Sequence, residues 1–173
     1  MFNKLLSQNV ENSRHSSGLA LLLGRYDEDS QILQDWAYQE FKISMMVVAY
    51  CQSAQNWLTE TPVNYKFICV DLDHFQSMNE AVEVCLWLRK EKRGTKIILL
   101  SHDVVTDDFG TERNIIADAT LRKPVTLNRF TDTMGILFGR ELNTIDNTKD
   151  YAKVLKEMYP DADSEIMRHT RET

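Results

Sequence analysis

Long hydrophobic runs are missing from this sequence. Stretches such as Leu19 to Leu23 fall far short of the roughly 20 residues that a membrane-spanning helix needs. Residues 1–18 lack an apolar core and carry Asn3, Gln8, Asn9, Glu11 and Asn12, so they do not read as a signal peptide. Cysteine is scarce: Cys51, Cys69 and Cys85 form an odd set with no C-x-x-C spacing. Cys69 and Cys85 lie in apolar runs where buried free thiols are expected, and this usage fits a reducing cytoplasm. There is no G-x-G-x-x-G and no P-loop, so nucleotide binding has no support. No serine sits in a nucleophile elbow. Positive charge is also in deficit. A net charge of −6 disfavours nonspecific nucleic-acid binding and gives no reason to expect an anionic membrane partner. No internal repeat or low-complexity segment is evident.

What remains is an ordinary globular composition, 43% hydrophobic and 27% charged over 173 residues, enough for one domain with an appendage. Residues 1–17 are polar and read as a loose leader. Five short apolar runs read as strands: Leu19–Leu23, Met45–Tyr50, Phe67–Asp71, Ile97–Ser101 and Ala119–Arg122. Helical spacing fills the gaps between them. Asp27 opens a helix carrying Ile32, Leu33, Trp36, Ala37 and Phe41. Ser53 is placed to cap a short helix through Trp57 and Leu58. A helix from Met78 to Lys92 presents Ala81, Val82, Cys85, Leu86 and Leu88, and Gly94 stops it. A short helix is predicted from Thr111 to Ala117, and a longer one carries Leu127, Phe130, Met134, Leu137 and Phe138. This alternation predicts an α/β domain with a parallel sheet over residues 18–141. Residues 142–173 are read as a polar linker followed by an amphipathic helix. Tyr151, Val154, Leu155, Met158 and Tyr159 form its apolar stripe, which must dock on the parent domain or on a second copy in a homodimer.

Three of the predicted strands end on reactive side chains, namely Asp71, Ser101 and, just past the fifth strand, Lys123. Open parallel sheets bind ligands at the carboxyl ends of their strands, so the three fall on one edge. A carboxylate, a hydroxyl and an ammonium there suit phosphoryl transfer. The carboxylate attacks phosphorus, the hydroxyl donates to one phosphoryl oxygen, and the ammonium neutralises another. His74, His102, Asp103, Asp107 and Asp108 supply metal-capable atoms, but no H-x-x-x-H or similar spacing joins them.

On these residues, 19–138 resembles the receiver domain of bacterial response regulators. Val70-Asp71, Ile97 to Ser101 and Lys123-Pro124 match its third, fourth and fifth strand ends in order. The resemblance implies a flavodoxin-like doubly wound sheet of five strands in the order 2-1-3-4-5. It also implies a signalling module of a two-component phosphorelay rather than an enzyme. Asp71 would be the phosphoacceptor served by a histidine kinase or phosphotransfer protein. Ser101 would contact the phosphoryl group, Lys123 would pair with Asp71 or its phosphate, and the bond from Lys123 to Pro124 would be cis. Mg²⁺ would be held by the Asp71 carboxylate and the Asp73 backbone carbonyl.

The sequence also departs from that pattern. Gly24-Arg25 stands where the family carries the acidic pair that holds the metal, so Mg²⁺ binding is expected to be weak. Arg25 is positioned to supply a cation near Asp71, either in place of part of the metal's charge or as a standing ion pair. Acids restored at 24 and 25 would then be expected to raise Mg²⁺ affinity. Thr120 occupies the position of the switch aromatic and is too small for it. The loop Asp73-His74-Phe75-Gln76-Ser77 lacks the family's proline and is about two residues longer. These departures point to an atypical receiver that works through protein–protein contacts. An alternative is a haloacid-dehalogenase-like phosphatase, because Asp71-Leu72-Asp73 resembles that family's D-x-D.

Overall fold

A computed structural model describes residues 18–60, 63–110 and 114–139. The leader (1–17) and the extension from residue 140 onward, including the amphipathic stripe at 151–159, lie outside the described residues. In chain order the elements are β1 (Gly18–Leu23), α1 (Glu28–Phe41), β2 (Ile43–Val48), α2 (Gln52–Glu60), β3 (Tyr65–Asp71), a 3₁₀ turn (Leu72–His74), α3 (Met78–Glu91), β4 (Lys96–Ser101), β5 (Ala119–Arg122) and α4 (Leu127–Phe138). The five strands form one sheet in the order β2-β1-β3-β4-β5, and every pairing is parallel. This is the doubly wound, flavodoxin-like order expected from the sequence.

The strands read as unbroken apolar runs because both faces of the sheet are covered. Successive side chains point to opposite faces. Leu19, Leu21, Leu23, Ile97 and Leu99 face one layer, packed with Leu58 of α2 and Val84, Cys85 and Leu88 of α3. Ala20, Leu22, Phe67, Ile98 and Leu100 face the other, packed with Leu33 and Ala37 of α1 and Phe130 and Met134 of α4. Phe130 is the centre of that second layer and sits against the rings of Trp36, Phe41 and Phe67.

Asp27 does start α1, through a reciprocal capping box. Its carboxylate accepts from the Ser30 N–H at 2.9 Å, and the Ser30 hydroxyl accepts from the Asp27 N–H at 2.9 Å. Lys42 closes the same helix in the left-handed region, φ 55°, and hands the chain directly to Ile43. β2 therefore begins and ends two residues earlier than the apolar run Met45–Tyr50 suggested. Two helix details also differ. α2 already includes Ser53, so that residue is not its cap. α3 turns Val84 inward and leaves Leu86 exposed, because Ala81, Val84, Cys85 and Leu88 hold the i, i+3, i+4, i+7 positions.

The crossover from β4 to β5 differs most. The helix predicted from Thr111 to Ala117 is not seen among the described residues, where Asn114 to Ile116 form only a turn. The loop instead folds back on the sheet edge. Asp108 and Thr120 exchange backbone hydrogen bonds at 2.9 and 2.8 Å in an antiparallel bridge. Asp107 then fastens the loop to α4. Its carboxylate accepts from Arg129 Nε at 2.7 Å, from Arg129 Nη2, and from the Arg122 N–H at 2.7 Å.

Candidate functional site

The parallel register brings the strand ends together. Asp71 lies opposite Leu100, and Ser101 lies opposite Arg122. The Lys123 N–H donates to the Ser101 carbonyl at 2.8 Å, which carries the β4–β5 ladder up to Lys123. The Lys123–Pro124 peptide is cis, as the resemblance implies. Asp71, Ser101 and Lys123 are all buried.

The Lys123 ammonium joins two carboxylates. It donates to Asp71 Oδ1 at 2.8 Å and to Asp73 Oδ2 at 3.1 Å. A buried ammonium and a buried carboxylate tolerate one another only when paired and hydrogen-bonded, and this geometry satisfies both. Burial alone would push the Lys123 pKa down, but the bonds and charges of Asp71 and Asp73 outweigh it and hold the ammonium above its ordinary range.

Asp73 reaches the centre of the cluster through the 3₁₀ turn. Asp71 caps that turn, accepting from the Asp73 N–H at 3.2 Å. The Asp73 carboxylate then collects donors from two further strand ends. It accepts from the Ser101 hydroxyl at 3.2 Å and, over longer contacts of 3.3 and 3.4 Å, from the His102 N–H. His102 Nδ1 lies 2.7 Å from Asp73 Oδ2. An ionised carboxylate only accepts, so Nδ1 carries the proton in this contact. The Ser101 hydroxyl accepts from the Asp103 N–H at 3.0 Å, which aims its one proton at Asp73. Burial pushes the Asp73 carboxyl up. The hydrogen bonds from His102 and Lys123 prevail and hold it below the ordinary carboxylate range.

Asp71, Ser101 and Lys123 therefore meet at one edge as expected, but Ser101 is engaged by Asp73 rather than by Asp71. The receiver resemblance asks only for the backbone carbonyl of Asp73, whereas its side chain is the hub. His102, a metal-capable residue in the sequence, is instead a partner of that carboxylate. The available signal was the alternation Asp71-x-Asp73 followed by His102 directly after the fourth strand end. Arg25 is exposed, and Asp71 takes its ion pair from Lys123, not from Arg25. Thr120 is buried within β5. The Asp103 backbone N–H donates to the Ser101 hydroxyl, Asp107 is committed to Arg129, Asp108 is in the edge bridge, and the His74 ring packs against Phe75.

The residues present do not fit the divalent cation that the resemblance implies. A hard cation needs several anionic oxygens. The two carboxylates here share an ammonium, and among the described residues no group of three or more His, Cys, Asp or Glu side chains could hold a metal. Gly24 is buried directly against Asp71, and a Cβ built there would meet Asp71 Cβ at 2.9 Å. The site thus leaves no room for a side chain at position 24, acidic or otherwise.

No family model and no curated protein matches the chain. Solved structures do. A two-component response regulator from Clostridium difficile is 16% identical, with a TM-score of 0.54 over 71% of this chain and 97% of that one. A CheY-like response regulator receiver domain from Methylobacillus flagellatus is also 16% identical, with a TM-score of 0.54 over 70% and 98%. The receiver domain of a sensor histidine kinase from Pseudomonas aeruginosa, with magnesium coordinated in its active-site cleft, is 14% identical, with a TM-score of 0.53 over 70% and 97%. The fold is that of a receiver domain. Nothing in the sheet order or in these similar structures supports the phosphatase alternative. Among the described residues no helix is long and apolar enough to cross a membrane.

Proposed function

We propose that the chain is an atypical receiver domain of a cytoplasmic bacterial two-component pathway, acting through protein–protein contacts rather than as an enzyme. The observation that carries this reading is the buried Asp71–Lys123 ion pair at the carboxyl edge of a receiver-type sheet, 2.8 Å long. Asp71 is the candidate phosphoacceptor, and Ser101 and Lys123 are its candidate phosphoryl-binding partners. Because the carboxylates are held by Lys123 and position 24 is closed, Mg²⁺-dependent loading of Asp71 is impaired. A histidine kinase or phosphotransfer protein is the partner if Asp71 is loaded. The lack of an acidic pair at Gly24-Arg25 and the Asp73 carboxylate held by Ser101, His102 and Lys123 favour a phosphate-independent protein partner, and the apolar stripe at 151–159 adds a second copy of the chain to the candidates. Incubation with radiolabelled acetyl phosphate and Mg²⁺ tests the reading. The expected result is no stable label on the wild-type protein. Stable label that disappears in Asp71→Asn would overturn the impaired, phosphate-independent reading and return the domain to conventional phosphotransfer.

A further inference from the structure

Four donors converge on one point at the carboxyl edge: the Lys123 ammonium, the Ser101 hydroxyl, the His102 N–H and the His102 ring Nδ1–H. They come from the ends of two different strands and form a cradle for an anion. Its occupant is the chain's own Asp73 carboxylate. We propose that Asp73 is a resident anion: it fills the cradle that a phosphoryl or phosphate group would otherwise occupy, and so ties the loop after β3 to β4 and β5 without any ligand. This deepens the receiver reading and rests on it only for the identity of the displaced group.

The chemistry of the donors supports this. Both Asp73 oxygens are used, Oδ1 by Ser101 and Oδ2 by Lys123 and His102. The Ser101 hydroxyl has no second proton to offer, because it already accepts from Asp103 and donates to Asp73. The turn that delivers Asp73 is itself pinned by Asp71, which accepts the Asp73 N–H. A tethered carboxylate so held competes at an effective concentration of millimolar or above. A free oxyanion must displace it and then bear its negative charge a few ångströms away. The side chain of Asp73 is 28% exposed, so the cradle lies at the rim, within reach of a small anion once the carboxylate is removed.

The test is an amide NMR titration of the full chain with inorganic phosphate, comparing wild type with Asp73→Ala and Asp73→Asn. The expected result is saturable shifts at Ser101, His102 and Lys123 in the variants, at concentrations on the order of tenfold below any that affect the wild type, as removal of one adjacent like charge dictates. Equal phosphate affinity in wild type and variants would overturn the proposal, because the cradle would not be blocked. Folded variants that bind no phosphate would also overturn it, because the donors would not be a cradle. Asp73→Asn keeps the shape of the turn and is read in place of Asp73→Ala if that variant does not fold. Phosphate binding does not require phosphorylation of Asp71, so the labelling experiment above can fail while this one succeeds, and the reverse.

Discussion

Gly24 lies beside Asp71 so closely that a Cβ at position 24 would sit 2.9 Å from Asp71 Cβ and 2.9 Å from Leu22 Cδ2. From the sequence alone, Gly24→Asp with Arg25→Asp looks like a repair that would raise Mg²⁺ affinity. The packing predicts the reverse. A side chain at position 24 must displace Asp71 or Leu22, and such overpacking costs roughly 1–3 kcal/mol. The double variant should therefore unfold at lower urea concentration and show no gain in Mg²⁺ binding by calorimetry. Tight Mg²⁺ binding with stability intact would show that the edge of the sheet opens more readily than its packing allows.

The Lys123–Asp71 pair is the second target. Both side chains are about nine-tenths buried, with exposures of 8% and 11%. Removing one partner of a buried pair leaves an uncompensated charge, at a cost of about 3–5 kcal/mol. Lys123→Met should fall toward the low end of that range, because the stranded carboxylates can take up protons. Adding Asp71→Asn to Lys123→Met should recover part of the loss, so the double variant is less destabilised than the sum of the singles. Urea unfolding of the four species measures that coupling. Additive losses would mean that the pair contributes nothing beyond its separate side chains.

The sheet and the three strand-end residues were legible in the sequence for one physical reason. A sheet buried on both faces demands unbroken apolar runs, and Ile97 to Leu100 and Phe67 to Val70 are such runs. Once the runs are ordered, Asp71, Ser101 and Lys123 must share an edge. Three features were not legible. The side-chain role of Asp73 depends on a single 3₁₀ turn that folds it back over the sheet, and no periodicity encodes that turn. The early start of β2 depends on the left-handed cap at Lys42. The β4–β5 loop depends on Asp107 meeting Arg129, 22 residues away, which no local pattern reveals.

The pH dependence of stability follows from the same side chains. The Asp73 carboxyl is held low in the folded protein, mainly by hydrogen bonds from His102 and Lys123 that prevail over its burial. Asp107 is likewise held low, chiefly by Arg129. A depressed folded value means that the unfolded chain binds more protons. Their stabilisation is thus present in full above the unfolded range, about 3.9 for Asp, and is lost as pH falls through the folded values. Lys123 is raised, so its contribution is complete below its unfolded value, about 10.4, and is lost as pH climbs through the folded one. Urea midpoints for wild type and Asp73→Asn between pH 2.5 and 6, roughly the window where carboxylates titrate, should show a shallower acid limb in the variant. An identical acid limb in the two proteins would contradict the role given to Asp73.

Asp107 offers the last test, because it fastens the loop after β4 to α4. Its carboxylate accepts from Arg129 and from the Arg122 N–H, next to the Asp108–Thr120 bridge that covers the free edge of β5. Asp107→Ala takes the acceptor from Arg129 Nε and from the Arg122 N–H, while the guanidinium keeps the Pro124 and Arg122 carbonyls. Hydrogen bonds to charged groups contribute roughly 1.5–3 kcal/mol each, and the partial exposure of Arg129 and Asp107 places this loss near the lower figure. The loss should be local. Hydrogen exchange of the Thr120 N–H, which donates to the Asp108 carbonyl, should accelerate, while the Ile98 N–H in the middle of β4 keeps its protection. If instead both amides exchange faster by the same factor, the clamp stabilises the whole domain. If neither changes, the backbone bridge alone secures the loop and Asp107 is dispensable to it.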